Sequence, residues 1–288
     1  MSELSDYAFV ATVAALSTAI LFYLVYVLGA GSLRAFSLAD GGSLATESAN
    51  GPYTTAGRYG TILAVNAFAF LTASLVFRTI ASGHGPFANM YEFSLAFAWG
   101  ALALYLYFEL RYRLRILGLL VLPIALGLLV YATTVPSDIT PLVPALQNDL
   151  LLTIHVAVAI IAYGAFALAF GAAILYLVQR RDSIRWLPRS TVLDEMGYKA
   201  VTVGFPMMAL VIILGALWAD IAWGTYWSWD PKETASLVTL LIYGGYLHAR
   251  VLRGWRGQRS AMLLILGFAA TLFTYYGNLF FGGLHSYG

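Results

Sequence analysis

A tryptophan-rich segment at residues 220–233 carries the densest group of chemically distinctive side chains in the sequence. Trp223, Trp227 and Trp229 lie within seven residues of one another, and the run from Asp230 to Glu233 follows them. That run has the form of a helix start, with an N-cap acid, proline at the first helical position and glutamate at the third. Tryptophan also gathers at membrane interfaces, but such belts are spread over many helix ends. Three indoles this close together predict a flat apolar platform on which a planar macrocycle can stack.

Two histidines could supply the iron ligands that a haem requires. Bis-histidine ligation needs imidazoles from two segments that face each other. His155 lies about two turns into a predicted helix, and His285 follows two glycines near the C-terminus. A single histidine at a helix end is more often simply hydrogen-bonded. Two of them on the same side as the tryptophan-rich segment favour ligation of a haem iron.

His248 leaves two interpretations open. It lies 17 residues after Pro231, which is roughly 26 Å along a helix and close to the far side of a hydrocarbon core about 30 Å thick. An ionisable group inside a span is costly and usually marks a pathway or a site. His248 is therefore either a haem ligand on the far side or an interfacial side chain beside Arg250 and Arg253.

Four further residues are considered on the tryptophan side. His84, flanked by two glycines, is a ligand, a base or an ordinary loop residue. Arg78 and Lys232 are the two basic residues predicted on this side, which makes them candidates to pair with haem propionates. Glu92 fits a capping box that opens at Asn89, so it is interpreted as structural.

A membrane-embedded helical bundle must position these side chains. The 288 residues are 60% hydrophobic and 10% charged, a balance too apolar for a soluble globular domain. Spanning a bilayer takes roughly 20 apolar residues per helix, and the chain supplies about eight such stretches. We expect an all-α integral membrane protein that forms one membrane domain over residues 1–288. The predicted spans lie near residues 7–28, 59–80, 90–109, 115–132, 150–178, 201–221, 233–251 and 261–281.

Basic residues predict the orientation, because Lys and Arg near helix ends are retained on the cytoplasmic side. With both termini outside, Arg78 and Lys232 fall on the outer side together with the 220–233 loop, and the polar segment 31–58 becomes a flexible cytoplasmic connection. The other basic residues then fall inside: Arg34, Arg58, Arg111, Arg113, Arg115, Arg180, Arg181, Arg185, Arg189, Lys199, Arg250, Arg253, Arg256 and Arg259.

Composition also excludes several classes of function. The chain has no cysteine, which removes disulfides, iron–sulfur clusters and thiolate metal sites. A formal charge of +2 without a basic cluster excludes a nucleic-acid partner. Glu3 and Asp6 make the first apolar stretch a poor secretory signal and a good permanent span. We find no catalytic triad and no paired carboxylates, so no catalytic side chain is predicted.

These residues resemble a known family. The run WGTYWSWDPKE, from Trp223 to Glu233, resembles the tryptophan-rich WWD signature of haem-handling proteins in cytochrome c maturation. Its form is most similar to the CcsA (ResC) branch of the system II cytochrome c synthase. The stretches GHGPFANMYE, LLTIHVAVAIIAY and GLHSYG agree with the same branch. The resemblance covers the chain from about residue 60 to the end.

The resemblance implies a set of site residues. His155 and His285 match the outer axial ligands of haem b, and His248 matches a histidine implicated in moving haem through the membrane. Haem would be held against the loop by Trp223, Trp227, Trp229 and Asp230.

The resemblance also implies partners. A CcsB (ResB)-type membrane subunit would join the chain to attach haem to the CxxCH cysteines of apocytochrome c, whose thiols other proteins keep reduced. The chain lacks that subunit's large outer domain, so we expect it to be inactive alone. The resemblance fits a location in a bacterial plasma membrane or a thylakoid membrane, where lipid would surround the spans.

The expected function is haem transport and presentation, in which placement and orientation of the reactants promote thioether formation. Two alternatives stay open. One is a haem chaperone of the system I pathway, which delivers haem without making the bond. The other is a proton or solute transporter that uses His248 as a relay, although the spans offer hardly any other buried ionisable residue for a pathway.

Overall fold

The computed structural model describes residues 1–39, 52–139, 141, 147, 149–179, 182–184, 187–277 and 280–284. Within these ranges the chain forms eight long α-helices, all long and apolar enough to cross a membrane. This confirms the predicted all-α class and the number of spans. The helices are α1 Ser2–Ala39, α2 Pro52–Ser82, α3 Met90–Tyr112, α4 Gly118–Ala132, α5 Asp149–Val178, α6 Ser190–Trp223, α7 Pro231–Arg253 and α8 Gln258–Tyr276, with a 3₁₀ turn at Arg115–Leu117 before α4.

The predicted connection at 31–58 is partly helical. Helix α1 continues to Ala39 and α2 begins at Pro52, so the helices end near the turn residues Asp40-Gly41-Gly42 and Asn50-Gly51-Pro52. Proline at the start of α2 suits the first helical position, where its missing N–H costs nothing. Residues 40–51 of the predicted connection lie outside the described residues.

Helix α6 begins at Ser190, eleven residues earlier than predicted, because its first turns carry charged side chains that hydropathy alone excludes. Asp194 accepts a hydrogen bond from Arg250 Nη1 at 2.7 Å and another from the Gly257 N–H at 3.1 Å. The charge of Asp194 is thus compensated by residues at the end of α7 and the start of α8.

Helices that follow one another in the chain run antiparallel, and bonds between helix ends agree with this arrangement. Near one end of the bundle Ser5 of α1 bonds Ser74 of α2, and Ser94 of α3 lies 2.8 Å from the hydroxyl of Tyr275 in α8. We call this the tryptophan end, because α6 ends and α7 begins there, with the 220–233 loop between them. The opposite end holds the Arg250–Asp194 pair.

Helix α5 is the centre of the bundle and packs against α3, α4, α6 and α8. It comes close to α3 at a point where two glycines face each other. A Cβ added at Gly164 would lie 2.8 Å from the carbonyl oxygen of Gly100, and one added at Gly100 would clash with Ile160. Small residues let transmembrane helices approach backbone to backbone. This crossing sets the distance between the two helices that frame the site.

Candidate functional site

A cavity with about 970 Å³ of empty space, partly open to the surroundings, lies at the tryptophan end. Helices α3, α5, α6, α7 and α8 and the 220–233 loop contribute to its lining. Its lining is mostly apolar and aromatic, as the linings of small-molecule and cofactor sites are. The polar exceptions include His155, Lys232, Glu233 and Ser236.

Three aromatic side chains separate this cavity from the middle of the bundle. Phe97 stacks on Tyr163 with ring centroids 4.9 Å apart and 21° between the planes. Tyr275 meets Phe97 edge to face at 5.2 Å. The same three residues line a smaller cavity of about 400 Å³ nearer the middle of the bundle. They form an aromatic floor, held in place by the Gly100–Gly164 crossing beside it.

His155 lies in the cavity wall on α5, about two turns from the start of the helix, as predicted. The facing residue of α6 is Gly215, where an added Cβ would come within 3.0 Å of His155 Cε1. The imidazole also lies 6.1 Å from the ring of Trp218, with 37° between the planes. Gly215 therefore makes room for the imidazole, and Trp218 supports one side of it.

Sequence reasoning missed Trp218, which is buried with 4% of its surface exposed. It lines the cavity and packs against Trp223 at 5.3 Å. The sequence does offer a signal for Trp218, because it lies only five residues before Trp223 in the same helix.

The three predicted tryptophans do not form one flat platform, and that expectation is wrong. Of the three, Trp227 alone lines the cavity. Trp223 packs back on Trp218, and Trp229 is 69% exposed with its ring perpendicular to Trp227 at 5.7 Å. Trp229 has φ of +60°, a left-handed conformation that is uncommon for side chains of this size and redirects the chain.

The predicted helix start at Asp230 is confirmed. Asp230 Oδ1 accepts from the Lys232 N–H at 2.8 Å, while Glu233 Oε2 accepts from the N–H groups of Asp230 and Ser228 at 3.2 and 2.8 Å. This is a capping box, and it ties the loop to the first turn of α7. Asp230 itself is buried at 6% exposure, and it is not among the residues that line the cavity.

The two cations predicted on this side have different surroundings. Lys232 lines the cavity, with Nζ 5.9 Å from the ring centroid of Phe93. Arg78 is 3% exposed, its Nε is 2.7 Å from Glu92 Oε1, and its Nη2 donates to the carbonyl of Ser137. Because its guanidinium is already paired, the prediction that Arg78 binds a propionate is wrong. Glu92 is structural, as predicted.

The remaining histidines lie apart from the cavity lining or beyond the described residues. His84 is in the turn after α2, where Nδ1 lies 2.8 Å from the Gly85 carbonyl. His248 is exposed on the surface of α7, five residues before the helix ends. His285 lies outside the described residues, which end at Leu284.

Buried charges are more numerous than predicted, and they lie at helix ends. At the opposite end of the bundle Glu109 is 3% exposed and accepts hydrogen bonds from Tyr23, Thr61 and Tyr105. Arg250 bonds both Asp194 and Glu195. These charged groups are paired with neighbouring helices, so they fasten the bundle rather than line a path through it.

Residues 87–285 match the family model described as cytochrome C assembly protein. The chain belongs to this family. Within it, the chain is of the CcsA type: it is 39% identical to the cytochrome c biogenesis protein CcsA of Guillardia theta over 246 residues, which cover 76% of this chain and 81% of the relative. It is 34% identical to CcsA of Microcystis aeruginosa, over 76% of this chain and 84% of that one.

The family match includes the cavity and every predicted site residue except His84 and Arg78. The match begins at Phe87 and ends at His285. Among solved structures, the cytochrome c haem lyase CcmF superposes with a TM-score of 0.64 at 16% identity. The match covers 93% of this chain and 46% of that chain. At this identity the likeness concerns the fold: the bundle corresponds to about half of a longer membrane protein.

Proposed function

We propose that the chain holds haem in the cavity at the tryptophan end and presents it for covalent attachment to apocytochrome c. Membership of the family places the chain in cytochrome c biogenesis. The proposal adds where the chain acts, which is the cavity, what it carries, which is haem, and which step it serves, which is the attachment of haem to apocytochrome c. The cargo is haem b, and the chain acts as one subunit of a synthase rather than as a complete enzyme.

The observation that carries the proposal is the combination of His155, Trp227 and Lys232 around one largely apolar cavity. A haem presents two apolar faces, an iron that accepts an imidazole nitrogen, and two propionates at one edge. His155 would supply an axial ligand, Trp227 an aromatic face for the ring, and Lys232 a cation for a propionate. The three side chains match these three chemistries, and they come from α5, the loop and α7.

His285 would be the second axial ligand. It directly follows Leu284, whose backbone N–H bonds Asp230 at the start of α7. The C-terminal tail is thus fastened beside the loop whose Trp227 lines the cavity. This attachment supports a site shared by His155 and His285.

His248 would take part before haem reaches the cavity. It is exposed on the surface of α7 near the opposite end of the bundle, where a ligand arriving from the bilayer or from another subunit can reach it. A CcsB-type membrane subunit is the partner that we propose for this surface and for the synthase as a whole. The membrane is a bacterial plasma membrane or a thylakoid membrane.

The chain needs no nucleophile of its own for thioether formation. Each thiol of the apocytochrome CxxCH motif adds across a haem vinyl group, so that sulfur bonds one carbon, the hydrogen goes to the other, and no oxidant is consumed. This chain has no cysteine that could compete for the vinyl groups. Its residues hold the porphyrin, orient it and keep water from its faces, which are contributions of placement.

Reconstitution tests the proposal. The chain and a CcsB-type subunit are expressed with a reporter apocytochrome c in a host that lacks its own maturation system. We expect covalent haem on the reporter, seen by haem staining after denaturing electrophoresis, when both subunits are present and not when either is omitted. Covalent attachment without this chain would contradict the proposal. A chain that carries haem but gives no thioether with the partner would be a delivery protein instead.

A further inference from the structure

Asp230 holds two segments of the chain with its two carboxylate oxygens. Oδ1 accepts from the Lys232 N–H at 2.8 Å and caps α7. Oδ2 accepts from the Leu284 N–H at 2.7 Å, 54 residues further along the chain. The first bond is one that N-cap residues ordinarily accept from the first turn of a helix. The second joins the start of α7 to the tail that follows α8.

The shape of the tail lets its N–H come close enough to donate this bond. A Cβ added at Gly283 would clash with Asp230 Oδ2 and would lie 3.1 Å from Pro231 Cδ, whereas one added at the neighbouring Gly282 would meet nothing within 4 Å. Neither glycine has a positive φ. Gly283 is therefore needed for close approach rather than for a special backbone conformation, and Gly282 is a natural control for it.

The bonded N–H belongs to the residue directly before His285. A charge-assisted hydrogen bond to a buried carboxylate is among the stronger bonds available to a backbone N–H, and Asp230 is only 6% exposed. Fixing the peptide of Leu284 restricts where the next side chain can begin. Asp230 is also tied through Glu233 to the loop that carries Trp227.

We propose that Asp230 is a positioning residue: its carboxylate fastens the tail at Leu284 so that His285 is presented to the cavity, and it does not itself contact the haem. This differs from the sequence-based assignment of Asp230 to haem contact, and it rests on the proposed function, in which His285 is the second axial ligand. The bond connects the tryptophan-rich signature to the C-terminal histidine, so the two features act as one unit.

Gly283→Ala tests the proposal in the purified full chain, with Gly282→Ala as the matched control. The alanine at 283 displaces the tail from Asp230 while leaving the carboxylate, the helix cap and His285 unchanged. We expect haem of the Gly283→Ala variant to change from a six-coordinate low-spin spectrum toward a five-coordinate one, with about tenfold weaker retention. The Gly282→Ala variant keeps the wild-type spectrum.

Asp230→Asn provides a second, independent variant. Asparagine is as good an N-cap as aspartate, but it has one acceptor oxygen for two N–H groups. We expect the same spectral change as in Gly283→Ala, with little change in thermal stability.

Added imidazole separates positioning from general damage. It can occupy the coordination position that a displaced His285 leaves, so it should restore the low-spin spectrum in both variants. A wild-type spectrum in both variants would overturn the proposal, and so would a loss of haem that imidazole does not repair. If the wild-type chain itself binds no haem, the proposed function has failed rather than the role of Asp230.

Discussion

At the scale of single residues, His155 on α5 and Lys232 on α7 bring an imidazole and a cation to one largely apolar cavity. Both were identified as candidates from their places in the sequence, and both line the same cavity from different helices. Trp218 lies near the tryptophan-rich segment in sequence, but neither its contact with the imidazole nor the facing Gly215 could be predicted, because nothing in a single sequence tells which face of α6 meets α5. The tertiary packing of α5 against α6 determines which side chains of α6 meet His155.

The first prediction at the scale of single residues concerns Lys232. Lys232→Gln removes the cation from the cavity wall while keeping a side chain of similar length. We expect about tenfold weaker haem retention, because a charge-assisted bond to a propionate is lost. Haem content is measured as the pyridine haemochrome after washing in detergent. Arg259→Gln, at the opposite end of the bundle, is the control, and equal retention in both variants would exclude the role assigned to Lys232.

Arg78 should respond differently, because its partner is within the protein. Arg78→Gln leaves Glu92 buried and uncompensated, which costs about 3–5 kcal/mol, so we expect a clear drop in thermal stability. Restoring the balance with Arg78→Gln plus Glu92→Gln should recover part of the loss. Arg253→Gln, at an exposed position, serves as control in the same melting experiment. An unchanged melting temperature for Arg78→Gln would mean that the Arg78–Glu92 pair contributes nothing to the stability of the protein.

At the scale of elements, hydropathy located all eight helices but placed several ends wrongly. Asp194, Glu195 and Lys199 at the start of α6 have the charge that is typical of a polar connection. The Arg250–Asp194 pair, which compensates the charge of Asp194, joins residues 56 positions apart and has no local signal. The start of α7 was placed closely because its signal is local: a proline and a capping box within four residues.

The α3–α5 crossing is testable with two glycines. In Gly164→Ala the new methyl group meets the Gly100 backbone at 2.8 Å, whereas at Gly127 in α4 there is open space. We expect Gly164→Ala to lose about 1–3 kcal/mol of stability through overpacking and Gly127→Ala to melt like the wild type. Because the crossing adjoins the Phe97–Tyr163 stack, haem retention should fall in the first variant only. Identical melting of the two variants would show that the crossing is not close-packed.

At the scale of the whole molecule, the positive-inside rule predicts that the tryptophan end faces away from the cytoplasm. The natural absence of cysteine makes this simple to measure. Ser137→Cys lies at the tryptophan end and Gln258→Cys at the opposite end, both at exposed positions. A membrane-impermeant maleimide applied to intact cells should label the first and not the second. The reverse pattern would put the cavity on the cytoplasmic side and contradict presentation to an exported cytochrome.

The central claim is that the cavity at the tryptophan end binds haem through His155. The most direct test is the absorption spectrum and haem content of the purified chain beside two neighbouring variants, His155→Ala and Ile154→Ala, the second changing an exposed side chain on the same turn. The wild type and Ile154→Ala should show the same Soret band and low-spin spectrum, and His155→Ala should lose haem or shift to a five-coordinate spectrum that added imidazole reverses. A His155→Ala protein with the haem content and spectrum of the wild type would contradict the account.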